Sequence, residues 1–448
     1  MAYLFIFASL VCAILMFKVK IEYKIAILLL SFILFTYTGL PFASIKMSRF
    51  ILICFILSEL GHYRCFMNAI RGTFVWKITG VFLLSMIILI IGSPHLRDLG
   101  TLSFLIRDEM ILKYFVLLYM YYACKSSESL RPAIRISYYG LIILTVLGIL
   151  NFFMHESIYI SSMSQISGGL QNSNIRMDLF DGARNRVQSL FLNPFDYGYI
   201  CMLLMLFHLY GFKEKMEGKT HFAIALGCCL FGIVACGSRT VILSGLIGFV
   251  VFCLLGFKAT KGLRVLMIIS VLFFMAYMTV PSVGEKVDET LSMFDKNSNM
   301  EGSTVEGRNT QFTAVFYHIK DNLLLGRGYL YFVQDLGWGK GKGYLVDKDL
   351  YGLEGVMMNY LLERGIVGLI FYYIYYISLF VHLWKRRKLE KTVSALGISV
   401  LAVYMFFANM TGELNSVIPT LLLVGCTVKL LDVKNNVTTP VFSKSNNN

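Results

Sequence analysis

The strongest constraint on this chain is where its apolar residues sit. They come in long unbroken blocks, not in stripes that repeat every three or four positions. Thirteen such segments lie near residues 1–17, 25–40, 48–60, 78–92, 108–123, 137–154, 191–211, 221–236, 241–257, 265–281, 356–384, 393–409 and 415–431. A helix rises about 1.5 Å per residue, so roughly 20 apolar residues cross a hydrocarbon layer about 30 Å thick. With 57% hydrophobic and 15% charged residues and a mean hydropathy of +0.67, the chain lies well outside the range of soluble globular domains. A soluble enzyme, a disordered protein and a repeat solenoid are excluded. The expected fold is all-α: a polytopic integral membrane protein of about 12–14 transmembrane helices, with residues 1–448 forming a single membrane domain.

The net charge of +14 would suit a nucleic-acid binder, but its distribution argues otherwise. One alternating set of connections, holding Lys18, Lys20, Lys24, Arg64, Arg71, Lys77 and the run Lys385-Arg386-Arg387-Lys388, carries 22 basic and 6 acidic residues. The other set is nearly balanced. Basic connections stay in the cytoplasm, so the charge sets topology, and anionic lipid headgroups are its expected partner. This orientation puts the C-terminus inside and the N-terminus outside. Residues 1–17 lack a charged leader and a small-residue cleavage site, and read as a retained span. All ten cysteines fall in spans or on the cytoplasmic side, so no disulfide framework is expected. The adjacent Cys228 and Cys229 read as small packing residues.

Two outward connections are long: about 155–190, and about 282–355 with 8 basic and 11 acidic residues. Connections of that length are usually functional or carry structure of their own. Within the second, Phe312, Val315, Phe316 and Ile319 recur at a helical period, which predicts an amphipathic helix over 310–322. The run Gly337-Trp338-Gly339-Lys340-Gly341-Lys342-Gly343 lacks the spacing of a nucleotide-binding loop and reads as a flexible loop or a flap. Asp347-x-Asp349 is the nearest thing to a metal pair and is better read as solvated, so no metal and no cofactor are expected.

Arginines carry more information. Arg239 stands in Gly237-Ser238-Arg239-Thr240 between two spans joined by almost nothing. At that depth it is either a functional cation or a helix-end arginine whose head reaches the interface. Arg308 opens the amphipathic stretch, Arg327 lies in Leu325-Gly326-Arg327-Gly328, and Arg184 and Arg186 precede Phe191-Leu192-Asn193-Pro194. Taken singly, Arg308 and Arg327 are more often solvated loop charges. Together they suit a diphosphate, because guanidinium groups bind phosphate oxygens in pairs and keep their charge. Glu363 and Arg364 begin a span, and neighbours on a helix diverge by about 100°, so they need not pair with each other.

Several strings, in this order, resemble the bacterial O-antigen polymerase and ligase superfamily. They are Ser189-Leu190-Phe191-Leu192-Asn193-Pro194, Gly237-Ser238-Arg239-Thr240 opening a span, and Gly307-Arg308 leading to Asp321–Gly328. The last is Asn359-Tyr-Leu-Leu-Glu363-Arg-Gly365-Ile-Val-Gly368 after the large connection. The resemblance covers roughly 190–370. It implies a GT-C-like membrane fold with one large late periplasmic loop. It also implies a metal-independent glycosyltransferase acting on undecaprenyl-diphosphate-linked oligosaccharide at the periplasmic face of the bacterial inner membrane. Ligases of this superfamily carry a histidine where counting back from Glu363 reaches Glu354, here followed by Gly355. That departure points to a polymerase that builds O-antigen or another surface polysaccharide, and away from a ligase acting on lipid A-core. A chain-length regulator is a further expected partner. On this reading Arg239 and Arg308 serve the departing diphosphate and Glu354 the proton, while Arg184, Arg186 and Arg327 help bind diphosphate or glycan. A flippase is the alternative of another class. It would favour internal repeats and mid-membrane charges, whereas only Asp196, Lys113 and a few others lie within apolar segments.

Overall fold

The computed structural model of the chain describes residues 2–40, 43–164, 186–258, 260, 262, 264, 267, 305–337, 346–350, 353, 355–412 and 415–438. Among the described residues the architecture is helical, apart from a short antiparallel ribbon pairing Gly39–Leu40 with Ala43–Lys46. Twelve of the thirteen apolar segments fall on helices, and the thirteenth, 265–281, lies outside the described residues apart from Met267. Among the described residues, seven helices are long and apolar enough to cross a membrane: Met47–Ile70, Phe74–Gly92, Ser127–Met154, Pro194–Lys213, Arg239–Gly256, Val356–Lys385 and Lys391–Thr411. Tyr3–Lys18 and Lys219–Ala235 are apolar but shorter. The chain is a polytopic membrane protein. Set against the expected 12–14 spans, seven meet the length on their own, because several segments are short or interrupted by irregular turns. In the other direction, the short segment 48–60 is the first half of a longer helix that continues through a 3₁₀ turn at Leu60–His62 to Ile70.

Burial sorts the helices. In Pro194–Lys213, 89% of the membrane-length window is buried, against 22% in Met47–Ile70 and 28% in Val356–Lys385. The first is a central post; the others keep broad apolar faces outward, as lipid-facing helices do. Small residues let the central helices approach. A methyl group on Gly248 would lie 2.3 Å from Val403 Cγ2, and one on Gly256 would lie 3.3 Å from Ala395 Cβ. The helices Arg239–Gly256 and Lys391–Thr411 are therefore antiparallel neighbours at close range. Gly198 meets Cys236 Sγ at 2.6 Å and Val241 Cγ1 at 2.7 Å in the same sense, which locks the start of the 194–213 helix against the 236–241 turn.

One helix is broken. Val356–Lys385 is interrupted at Gly365, where φ is 62° and ψ is −166°. The segment 323–328 of the large connection fills the break. Ile366 and Val367 donate their N–H groups to the carbonyls of Leu323 (3.0 Å) and Leu324 (3.1 Å). In return the carbonyls of Leu362 and Glu363 accept from Arg327 (2.8 Å) and Gly328 (3.0 Å). Backbone groups freed inside a membrane must find such partners. The expected amphipathic helix is present as Val305–Ile319. Val315 and Ile319 enter a small core with Phe332, Leu336, Leu361 and Leu362, and Phe316 remains partly exposed. The large connection is thus anchored on the first turns of the helix that follows it.

Candidate active site at the loop-bearing end

The strings that open helices do so as caps. Asn193 Oδ1 accepts the N–H of Phe195 at 2.8 Å, with Pro194 in the first helical position. Ser238 Oγ accepts from Val241 at 3.4 Å and starts the next span at Arg239. A side-chain oxygen at this position satisfies an N–H that the helix cannot, and proline there loses nothing. Gly237, with φ at 62°, makes the tight reversal between Lys219–Ala235 and Arg239–Gly256. The caps therefore place Arg239 at a helix N-terminus, where the backbone dipole is already positive. Two positive sources at one point oppose each other and together favour an anion.

Two further arginines reach the same end. The Cγ of Arg186 would lie 3.1 Å from a methyl group on Gly237, and its guanidinium lies 5.5 Å over the ring of Phe195. Arg308 donates to the carbonyl of Met410 at 3.0 Å and contacts Met410 Sδ at 3.1 Å. The register that faces Gly248 with Val403 and Gly256 with Ala395, extended outward, sets Arg239 level with Gly412. Met410 is two residues from that level, roughly 3 Å along a helix axis. Arg186, Arg239 and Arg308 thus attach to one corner, made by the 236–241 turn and the end of Lys391–Thr411.

Arg327 is placed differently. Its Nε donates to the carbonyl of His318, and its Nη2 lies 3.4 Å from Asp321 Oδ2. It closes the C-terminus of the 305–319 helix, where a cation is favoured by the dipole. Arg184 and Glu354 lie outside the described residues, as does most of the glycine-rich run. Asp347 bonds His318 Nε2 at 2.8 Å and accepts the N–H of Asp349 at 2.9 Å, so this acidic pair is tied into the loop.

Sequence reasoning passed over a buried group beside the arginine corner. Asp196, on the first turn of the 194–213 helix, is 3% exposed. Its Oδ2 accepts from Tyr37 Oη and, at 3.2 Å, from Asn415 Nδ2, which also donates to Tyr37 Oη at 2.6 Å. Lys46 Nζ lies 4.5 Å over the Tyr37 ring. Partial burial and the neighbouring Arg49 push the Lys46 ammonium down to about 8. The available signal was a charge inside an apolar block, which needs a partner or a function.

Residues 224–373 match the model of the O-antigen ligase family, a stretch running from the span before Arg239 through the break at Gly365. Over that stretch, about a third of its length, the chain is similar to this family. No curated protein matches it. The match takes in Arg239, Arg308 and Arg327, and leaves out Arg186 and Asp196, which meet the matched region only through the fold.

Proposed function

We propose that this protein polymerises O-antigen or a related surface polysaccharide, transferring a growing glycan from undecaprenyl diphosphate to an incoming lipid-linked repeat unit. The observation that carries the reading is the shared corner: Arg308 on the Met410 carbonyl, at the level of Arg239 and beside Arg186. On this reading the corner faces the periplasm of the inner membrane, which the basic connections at the opposite end support. A hydroxyl of the acceptor sugar attacks the anomeric carbon of the donor. The bond from that carbon to the diphosphate oxygen breaks, and its electron pair leaves with the diphosphate. Arginines held in place before the reaction stabilise the charge that develops there. Arg239 and Arg308 take this role, Arg186 and Arg184 extend the positive field, and Arg327 holds the loop that carries Arg308. The hydroxyl proton passes to a carboxylate, for which Glu354 is proposed. No metal is required for these steps, and a chain-length regulator would act from outside this chain. Polymerase is preferred to ligase because Glu354 stands where ligases of the superfamily have histidine.

The test is gel analysis of surface polysaccharide from a strain lacking its own copy, complemented with wild type or with Arg308→Ala. Wild type should restore a ladder. Arg308→Ala, at equal membrane abundance, should leave a band of one repeat, with a loss of roughly 10²-fold or more in chain extension. A full ladder from Arg308→Ala, or from the deletion strain itself, would overturn the reading.

A further inference from the structure

Past the break at Gly365, one face of Val356–Lys385 is built from a glycine and three tyrosines. Gly368, Tyr372, Tyr375 and Tyr376 follow the spacing that puts residues on one side of a helix. Gly368 has to be small, because a methyl group there would lie 2.2 Å from Arg364 Cβ. The Arg364 side chain runs past it, with Cζ 4.3 Å from the centre of the Tyr360 ring and Nη2 3.9 Å from Glu109 Oε2. Across from this face stand Phe82 and Ser85 of Phe74–Gly92, and Tyr114. Tyr114 ends the π-helical turn Leu105–Tyr114, a wide and uncommon geometry that recurs at functional sites.

The rings meet at unequal angles. Phe82 and Tyr114 stack at 3.9 Å, whereas Tyr375 meets Tyr114 edge-on at 5.7 Å and lies tilted against Phe82 at 5.9 Å. Flat rings held this way leave a gap, a cavity of about 10 Å³ with room for one water.

The hydroxyls around the cavity differ in how they are satisfied. Tyr114 and Tyr360 share a hydrogen bond of 2.9 Å, and Tyr372 and Tyr376 donate to Tyr404 at 3.2 and 3.3 Å. Ser85 donates to the carbonyl of Phe82 at 2.7 Å, and its oxygen keeps lone pairs that can accept. Tyr375 is the exception. It is 1% exposed, and its hydroxyl has no hydrogen-bond partner among the described residues. A buried O–H costs free energy unless something accepts it, and the surrounding hydrocarbon offers nothing. Cavities that stay dry are lined by apolar groups, whereas this one adjoins the hydroxyls of Ser85 and several tyrosines.

We propose that this cavity is a binding site for a single water molecule, which accepts the hydrogen of Tyr375 and donates to Ser85 and to a neighbouring tyrosine oxygen. The water ties Phe74–Gly92 to Val356–Lys385 past the break, as residues 323–328 tie the same helix at the break itself. The broken helix is thus held twice, by the backbone of the large connection and, further along, by a water-bridged hydroxyl. This role is separate from the diphosphate chemistry of the arginine corner.

The test is X-ray radiolytic footprinting of the purified protein in nanodiscs, read by tandem mass spectrometry. Radiolysis turns bound water into hydroxyl radicals, which oxidise the side chains they touch and spare buried tyrosines with no water beside them. Tyr199 is the control: it is also 1% exposed, and it is bonded directly to Thr420 Oγ1 at 2.6 Å. Tyr375 should be oxidised several-fold faster than Tyr199. Ser85→Val, which replaces the accepting hydroxyl with a methyl group, should bring Tyr375 down to the Tyr199 rate. Equal rates for the two tyrosines in wild type, or a Tyr375 rate unmoved by Ser85→Val, would overturn the site. A second measurement needs no labelling. A water-bonded hydroxyl stabilises the fold and an orphaned one does not, so Tyr375→Phe should lower the melting temperature by about 1–2 °C. An unchanged or raised melting temperature would mean that nothing accepts from Tyr375, and the proposal would fall.

Discussion

The helices Arg239–Gly256 and Val356–Lys385 start at the same end of the bundle and solve the membrane problem in opposite ways. The first is continuous. It opens on a Ser238 cap and presses its glycines against Lys391–Thr411, so its backbone is satisfied from within. The second breaks at Gly365 and borrows four hydrogen bonds from residues 323–328 of the large connection. Leaving such groups unpaired in hydrocarbon costs several kcal/mol each. The 356–385 helix therefore cannot take this shape without the loop, and the loop has no fixed position without the helix. One helix carries its arginine on rigid packing; the other couples Arg364 to the same segment that leads from Arg308.

The comparison breaks most directly at Gly365. A side chain there would face a positive φ and meet Leu324 O at 2.4 Å and the Gly326 nitrogen at 2.5 Å, both backbone atoms that cannot move aside. Gly365→Ala should cost roughly 3 kcal/mol or more through strain and lost backbone pairing. It should abolish a monodisperse peak in detergent chromatography. A normal elution profile and melting temperature would show that the loop insertion does not hold the helix.

A smaller effect is expected at the continuous helix. Gly248→Ala places a methyl group 2.3 Å from Val403 Cγ2, a stiff β-branched neighbour. Overpacking of this kind costs about 1–3 kcal/mol. The melting temperature should fall, and Val403→Ala in the same chain should recover most of the loss by making room. If the double variant melts no higher than Gly248→Ala alone, the two helices do not meet in this register.

The difference between the helices also separates what the sequence makes legible from what it hides. Span positions, the helix in the large connection and the caps at Asn193 and Ser238 follow from local chemistry: block length, a 3.6-residue period and a hydrogen-bonding residue before an apolar run. Arg239 stands out for the same reason, as a charge at the mouth of a span. The π-helical turn and the break at Gly365 do not, since both exist only because distant groups complete them. A glycine inside a helical pattern is a weak signal, and nothing near Gly365 announces that Leu323 and Leu324 will supply its acceptors. The apolar segment 48–60 is short because its continuation to Ile70 is more polar. Lys24, which lies 2.5 Å from Glu59, helps retain that polar end. Pairings such as Arg49 with Asp108 and Glu109 with Arg364 span 59 and 255 positions, and no periodicity encodes them.

The smallest effect distinguishes the two helix starts. Val356–Lys385 begins after Gly355 with no side-chain cap, whereas Arg239–Gly256 depends on Ser238. The Ser238 bond is long, at 3.4 Å, so Ser238→Ala should cost about 0.5–1 kcal/mol, the low end for a lost cap. Its consequence for activity should exceed its consequence for stability, because Arg239 is the next residue and Ser238 sets its angle. A melting temperature lowered by a few degrees or less, with chain extension reduced several-fold, is the expected pair of results. Equal and small losses in both would mean that Gly237 and the packing of Gly198 on Cys236 already hold Arg239 in place without the cap.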